Sequence, residues 1–148
     1  MNRYYTLIAR IVFAVIFVAA GVVHIVLGRS APDSYAVFSR TALVPGLAQL
    51  WDSVVMPHIG VLTLVLATIQ IAAGVGLLLA GRTVQVAAWV ILGFLAFIVV
   101  LGYGLPSAGM VEDLAINRLG TFALAGLILP VALHSRHRAL WARVPDRR

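Results

Sequence analysis

The sequence predicts an all-α fold: a bundle of four transmembrane helices with a short extracytoplasmic helix or loop between helices 1 and 2. Composition is the first observation, because 62% of the 148 residues are hydrophobic and 11% are charged, against roughly 45–50% and 25% in soluble domains. The second is a set of long apolar segments, each near the length that crosses a hydrocarbon layer. We expect one integral membrane domain over residues 1–148.

The first predicted span covers residues 4–27 and would extend roughly 36 Å, against about 30 Å of hydrocarbon. Arg10 and His24 are its only charged or imidazole side chains, and helical periodicity places them near one face, which we expect to look toward protein. Arg10 is also expected to snorkel to phosphate of the inner leaflet. The apolar run continues past a signal-peptide core, which favours a retained helix over a cleaved leader. Gly28 and Arg29 are typical of the helix end.

The long connection over residues 29–57 is expected to contain a short helix over 34–40 that stops before Pro45. Tyr35, Phe38 and Trp51 make this connection too apolar to extend into water. It is therefore predicted to lie on the membrane surface or over the mouth of the bundle.

The second and third spans are predicted over residues 57–80 and 84–105. Gly81 and Arg82 leave almost no loop between them, so the two helices should be antiparallel neighbours. Gln70 lies near the middle of the second span. Small residues recur every four positions in the same span, at Ala72, Gly76 and Ala80. This pattern lets helices approach closely. These three residues and Gly21 of the first span are the predicted packing residues.

The fourth span is predicted over residues 114–133. Its uninterrupted apolar part, 119–133, is shorter than the usual minimum of about 17 residues. Including residues 114–118 restores the length and places Asn117 and Arg118 at the mouth of the bundle.

Charge distribution predicts the orientation in the membrane. All 11 basic residues counted as Lys or Arg are arginines. Most lie at the N-terminus, in the Gly81-Arg82 turn or in the tail over residues 134–148. Because positive charge favours the cytoplasmic side, both termini are expected in the cytoplasm. The predicted location is the cytoplasmic membrane of a bacterial cell. A basic tail after an apolar span is typical of a segment facing anionic lipid, and no nucleic-acid partner is predicted.

The outer boundary of the bundle carries the only polar cluster the chain can build. The candidate ligand-binding residues are His24, Arg29, Glu112 and Arg118 at this boundary, and Gln70 near the middle of the second span. His24 could hydrogen-bond a quinone-like head group, pass a proton or bind a metal, or it could be a structural residue satisfied by a neighbouring helix. A glutamine at the depth of Gln70 is more typical of an interhelical hydrogen bond.

Cysteine is absent, which excludes thiolate metal sites and dithiol redox chemistry carried by this chain. No metal site and no catalytic residue is predicted. A haem would need two facing histidines, and a channel usually shows charges near the midplane, so both are disfavoured. If the protein takes part in redox chemistry, something that it binds must carry the electrons, and a quinone is the possible cofactor.

The first helix resembles that of the DoxX-like membrane proteins. The resemblance rests on Arg10, Ala14, Phe17, Ala20-Gly21 and His24, on the Tyr35 connection with Pro45, and on the run 70–79 followed by Gly81-Arg82. Family members often have an acidic residue where Gln70 stands. The resemblance implies a four-helix membrane bundle; the family takes its name from a thiosulfate:quinone oxidoreductase subunit, and related eukaryotic proteins act as chaperones or cargo receptors.

Three functional hypotheses follow. The first is an accessory subunit of a membrane redox or stress-response assembly, not a self-sufficient enzyme, with the lipid bilayer and a membrane or soluble redox protein as partners. The second is a quinone-binding oxidoreductase subunit. The third is a chaperone or assembly factor that binds another membrane protein through Ala72, Gly76 and Ala80.

Overall fold

The computed structural model describes residues 3–134, and all regular secondary structure in this range is helical. The α-helices are α1 (Arg3–Ser30), α2 (Pro45–Leu50), α3 (Ile59–Leu78), α4 (Arg82–Leu101), α5 (Met110–Asn117) and α6 (Leu119–Leu133). The all-α prediction is confirmed for this range. The predicted basic tail lies outside the described residues from position 135 onward.

Helix α1 is longer than the sequence predicts, because it continues through Gly28 and ends at Ser30. Gly28 is not a helix stop. It lies against the Thr63 side chain of α3, where a Cβ at position 28 would collide with the threonine. Glycine here serves a close approach of two helices, which a sequence pattern cannot separate from helix termination.

Residues 31–58, which we call the cover, fold over one end of the bundle. They form a 3-10 helix (Pro32–Thr41), then α2, a π-helical turn (Trp51–Val55) and a short 3-10 turn (Met56–His58). The helical path runs without a break from Pro45 to Leu78, and α3 begins at Ile59, close to the predicted start at Pro57. Tyr35, Trp51 and Ile59 form a small core with Leu101 of α4, which confirms that this connection packs over the bundle.

Helices α3 and α4 form the predicted hairpin, with Gly81 at φ +62° in the turn. Helix α1 packs along α3. At Gly21, a Cβ would lie 2.9 Å from the carbonyl oxygen of Ala67, and at Gly74 a Cβ would lie 2.9 Å from that of Ala14. The two helices therefore touch backbone to backbone, as small-residue packing in membranes allows.

The fourth predicted span is not one straight helix. Arg118 has non-helical backbone angles, φ −137° and ψ −33°, and α5 and α6 meet there at 45°. Helix α6 returns along α4, because Gln85 Nε2 near the start of α4 donates to the carbonyl oxygen of Ala132 near the end of α6, at 3.1 Å.

In residues 3–134, three helical segments are long and apolar enough to cross a membrane, and a fourth crossing results if the bent α5–α6 pair is one span. The outward faces of these helices are apolar. Ile8, Val15, Val61 and Leu119 are all at least 60% exposed, as expected of side chains that face lipid and not water. These features describe a multi-pass membrane protein.

Candidate ligand-binding cavity

A cavity of about 310 Å³ lies between α1, α3, α4, α6 and the cover. Its size is at the lower end of the roughly 300–1,000 Å³ found for small-molecule sites. Most of its lining is aliphatic or aromatic, and the polar side chains that reach it are His24, Tyr35, Trp51, Gln70 and Tyr103. An apolar cavity with a few polar groups is the usual form of a site for a lipid-soluble ligand.

One wall of the cavity is a chain of rings. His24, Tyr35, Phe38, Trp51 and Phe97 follow one another with centroid separations of 5.6, 6.1, 5.8 and 6.5 Å. Phe17 and Phe94 meet edge to face at 5.6 Å and also line the cavity. Aromatic pairs at such separations attract one another through their quadrupoles. The wall is therefore aromatic, a composition suited to a ligand that contains a ring.

Gln70 is the unusual residue of the cavity. Its side chain is 1% exposed, yet neither Nε2 nor Oε1 has a hydrogen-bond partner. The expected interhelical hydrogen bond is absent, so that prediction is wrong. A buried, unpaired amide costs about 1–3 kcal/mol, and such a cost is typical of a polar group kept for a ligand or for an ordered water.

His24 is held by the cover. Its Nδ1 lies 2.6 Å from the Tyr35 hydroxyl, and the two rings are tilted by 30°. The second ring nitrogen, Nε2, has no hydrogen-bond partner among residues 3–134. His24 is thus both tied to the protein and open to the cavity.

His24 and Gln70 approach the cavity from different depths. Close contacts of Gly21 with Ala67 and of Gly28 with Thr63 set the antiparallel register of α1 and α3. In this register Gln70 lies level with about residue 20, so His24 is about one helical turn, roughly 6 Å, nearer to the cover. A ligand that touches both groups must span this interval.

The structure does not bring Arg29, Glu112 or Arg118 to this cavity. Arg29 and Glu112 are exposed, and Glu112 accepts a hydrogen bond from the backbone N–H of Ala108 at 2.7 Å. Arg118 is 1% exposed but its donors are used: they contact the Asp113 carboxylate and the carbonyl oxygens of Thr41 and Val99. Arg118 thereby joins the cover, α4 and α5.

Arg10 does not snorkel to lipid as expected. Its side chain is 3% exposed, and Nε and Nη2 each donate to a carbonyl oxygen at 2.7 Å, those of Leu77 and Leu79. These carbonyls belong to the end of α3, where the backbone has no intrahelical donors left. The guanidinium therefore caps the neighbouring helix.

The predicted packing stripe is divided. Gly76 is buried, and a Cβ there would lie 2.9 Å from Cβ of Ala87 in α4, whereas Ala72 and Ala80 are exposed. The stripe does not face a single helix, and its central residue is already covered by α4. Gly21 does pack, against Ala67 and Ile71 of α3.

Sequence reasoning missed the aromatic half of the cavity. The sequence identifies Tyr35, Phe38 and Trp51 only as too apolar for water. The available signal was the spacing of Tyr35 and Phe38, one helical turn apart in a connection expected over the bundle mouth. The side of the bundle that they would cover could not be read from that spacing.

Comparisons with protein-family models, with curated proteins and with solved structures found no match. The fold alone defines the class, a multi-pass helical membrane protein with a cavity between its helices and the cover, and the resemblance to DoxX-like proteins stays a prediction.

Proposed function

We propose that this protein is a four-span DoxX-like protein of a bacterial cytoplasmic membrane that binds a flat, lipid-soluble, carbonyl-bearing ring, a quinone, in the cavity below the cover. The observation that carries the proposal is Gln70, a buried amide with both polar atoms unpaired at a cavity otherwise lined mainly by apolar and aromatic side chains.

The chemistry of the cavity favours this ligand class. An aromatic wall stacks with a flat ring, and the Gln70 amide and the His24 imidazole can each hydrogen-bond a ring oxygen. In contrast, no carboxylate, arginine or lysine lines the cavity among the described residues, so a charged ligand would enter without a counter-ion at high cost.

The proposed role is that of an accessory or quinone-binding subunit of a membrane redox or stress-response assembly. The chain has no cysteine, so a protein partner would exchange electrons with the bound ring. The chaperone alternative receives less support, because Gly76, the centre of its proposed contact stripe, is packed against α4.

Gln70→Met tests the proposal because methionine is of similar length but lacks the amide. We expect affinity for a short-tailed p-benzoquinone to fall about tenfold in lipid nanodiscs, measured by calorimetric titration. The free energy of unfolding should rise by about 1–3 kcal/mol, because an unpaired buried amide is removed. Lower affinity together with higher stability is the signature of a binding residue.

Thr68→Val is the matched control. Thr68 is an exposed residue of the same helix whose hydroxyl donates to the Leu64 carbonyl at 2.8 Å, and this variant should bind the probe as the wild type does. The proposal is overturned if the wild type does not bind the quinone, or if Gln70→Met binds it equally well.

A further inference from the structure

Tyr35 is fixed from several sides. Its side chain is 5% exposed, and its ring lies between those of His24 and Phe38, with centroids at 5.6 and 6.1 Å. The indole Nε1–H of Trp51 donates to the backbone carbonyl of Tyr35 at 2.9 Å. The hydroxyl is thereby held at one place, 2.6 Å from Nδ1 of His24.

The direction of this hydrogen bond follows from counting protons. A phenol has one O–H, and within residues 3–134 the only partner of the Tyr35 hydroxyl is His24. Either tautomer leaves one proton without a partner in the described residues: the phenolic proton if Nδ1–H donates, or Nε2–H if the phenol donates. Tyr35 is 5% exposed, whereas His24 is only half-buried, so Nε2–H can meet a ligand or water while an unpaired phenolic proton would cost about 1–3 kcal/mol. Burial also raises the pKa of Tyr35, which keeps the phenol protonated at neutral pH. Tyr35 therefore donates and Nδ1 accepts.

A neutral imidazole that accepts at Nδ1 carries its proton on Nε2. Because Nε2 has no other partner in the described part of the chain, His24 presents an N–H donor at the wall of the cavity. Gln70 is less selective, because its amide offers a donor at Nε2 and an acceptor at Oε1.

The oxidised and reduced forms of a quinone differ in how they can hydrogen-bond to the Nε2–H group of His24. A carbonyl oxygen accepts the Nε2–H bond and needs nothing more. A hydroxyl of the reduced ring can accept the same bond, but its own proton then needs an acceptor. Trp51 Nε1 can only donate, and the oxygens of Tyr35 and Tyr103 are already hydrogen-bonded to His24 and to Thr121. The extra proton would therefore have to compete for an oxygen that is already in use.

We propose that Tyr35 is a positioning residue that fixes the tautomer of His24, so that the cavity binds the oxidised, carbonyl form of its ligand in preference to the dihydroxy form. This inference rests on the proposed function, because it concerns the ligand of the same cavity. His24 contacts the ligand, and Tyr35 acts through His24.

The test is the ratio of two affinities. A short-tailed p-benzoquinone and its hydroquinone, kept reduced under nitrogen, are titrated into the wild type, Tyr35→Phe and Tyr5→Phe in lipid nanodiscs. The wild type should prefer the quinone about tenfold. Tyr35→Phe should bring the ratio near one, because the imidazole can then present either tautomer. Tyr5→Phe, which loses a hydroxyl bonded to Leu127, should keep the wild-type ratio, because neither residue lines the cavity.

Nitrogen NMR of the wild type provides a measurement that does not depend on the folding of a variant. With ¹⁵N-labelled histidine, and His24→Gln to assign the signal, His24 should show a protonated Nε2 and an unprotonated Nδ1. A proton on Nδ1 overturns the inference.

The outcomes separate the two proposals. If the wild type binds neither ring, the proposed function fails and the inference fails with it. If the quinone binds but Tyr35→Phe keeps the wild-type preference, the inference alone is overturned.

Discussion

Arg10 and Gln70 show two opposite fates of a polar side chain inside an apolar bundle. Both are almost fully buried, but the donors of Arg10 reach backbone carbonyls of α3, whereas Gln70 has no partner. The first arrangement lowers the cost of burial and stabilises a helix end. The second leaves the desolvation free energy of the Gln70 amide uncompensated at the cavity. This difference separates a candidate binding residue from a structural one.

Arg10→Met should destabilise the protein, because the carbonyls of Leu77 and Leu79 would lose their charged donor. Hydrogen bonds from charged groups contribute about 1.5–3 kcal/mol, and we expect a loss of this size in unfolding by SDS in mixed micelles. Arg82→Met is the control, since Arg82 is exposed in the neighbouring turn. Equal stability of the two variants would contradict the capping role of Arg10.

His24 and Gln70 could be singled out from the sequence because each is a rare polar residue within a long apolar segment. The residues that surround them in the fold could not be predicted from the sequence. The partner of His24 lies 11 positions away in the cover, and the Trp51 bond that holds Tyr35 spans 16 positions. Arg29 and Glu112 looked equivalent to His24 by depth, but depth alone does not say which residues turn toward the cavity.

At the scale of elements, apolar length predicted the first three spans to within a few residues at most boundaries, and it failed at α5 and α6. The bend at Arg118 depends on contacts distant in sequence: its donors reach Thr41, 77 positions away, and Val99. Beside it, Asn117 Oδ1 accepts from the backbone N–H groups of Tyr103 and Leu105 at 3.2 and 3.0 Å. Hydropathy contains no information about these bonds.

The packing of α1 on α3 gives a prediction for Gly74. A Cβ at this position would lie 2.9 Å from the Ala14 carbonyl oxygen and 2.8 Å from Cγ2 of Val18, so Gly74→Ala must push the helices apart. We expect a loss of about 1–3 kcal/mol in the free energy of unfolding, the usual cost of overpacking.

Gly126→Ala provides the comparison for that variant. A Cβ at Gly126 in α6 meets nothing within 4 Å, so alanine there should be neutral or stabilising by up to about 1 kcal/mol through helix propensity. The same SDS titration measures both. If Gly74→Ala is as stable as Gly126→Ala, close packing of α1 on α3 is not what holds these helices together.

At the scale of the whole molecule, the bundle has two unlike ends. One end carries the cover, the connection between α4 and α5, and the partly buried Asp113–Arg118 ion pair. The other carries the short α3–α4 turn, the start of α1 and the end of α6, where Gln85 bonds to Ala132. The arginines Arg3, Arg10 and Arg82 of the second end favour a cytoplasmic location for it.

The absence of cysteine makes this orientation directly measurable with single-cysteine variants. In intact cells, a membrane-impermeant maleimide should label Ser34→Cys in the cover and Ser107→Cys between α4 and α5, because the positive-inside rule places both outside. Thr83→Cys at the opposite end should be labelled only after the cells are opened.

His134→Cys decides the number of spans: if α5 and α6 cross the membrane together, it behaves like Thr83→Cys. Labelling of His134→Cys in intact cells would leave three spans and put the end of α6 outside. That result would be incompatible with α6 lying along α4, because Gln85 and Ala132 would then be on opposite sides of the membrane.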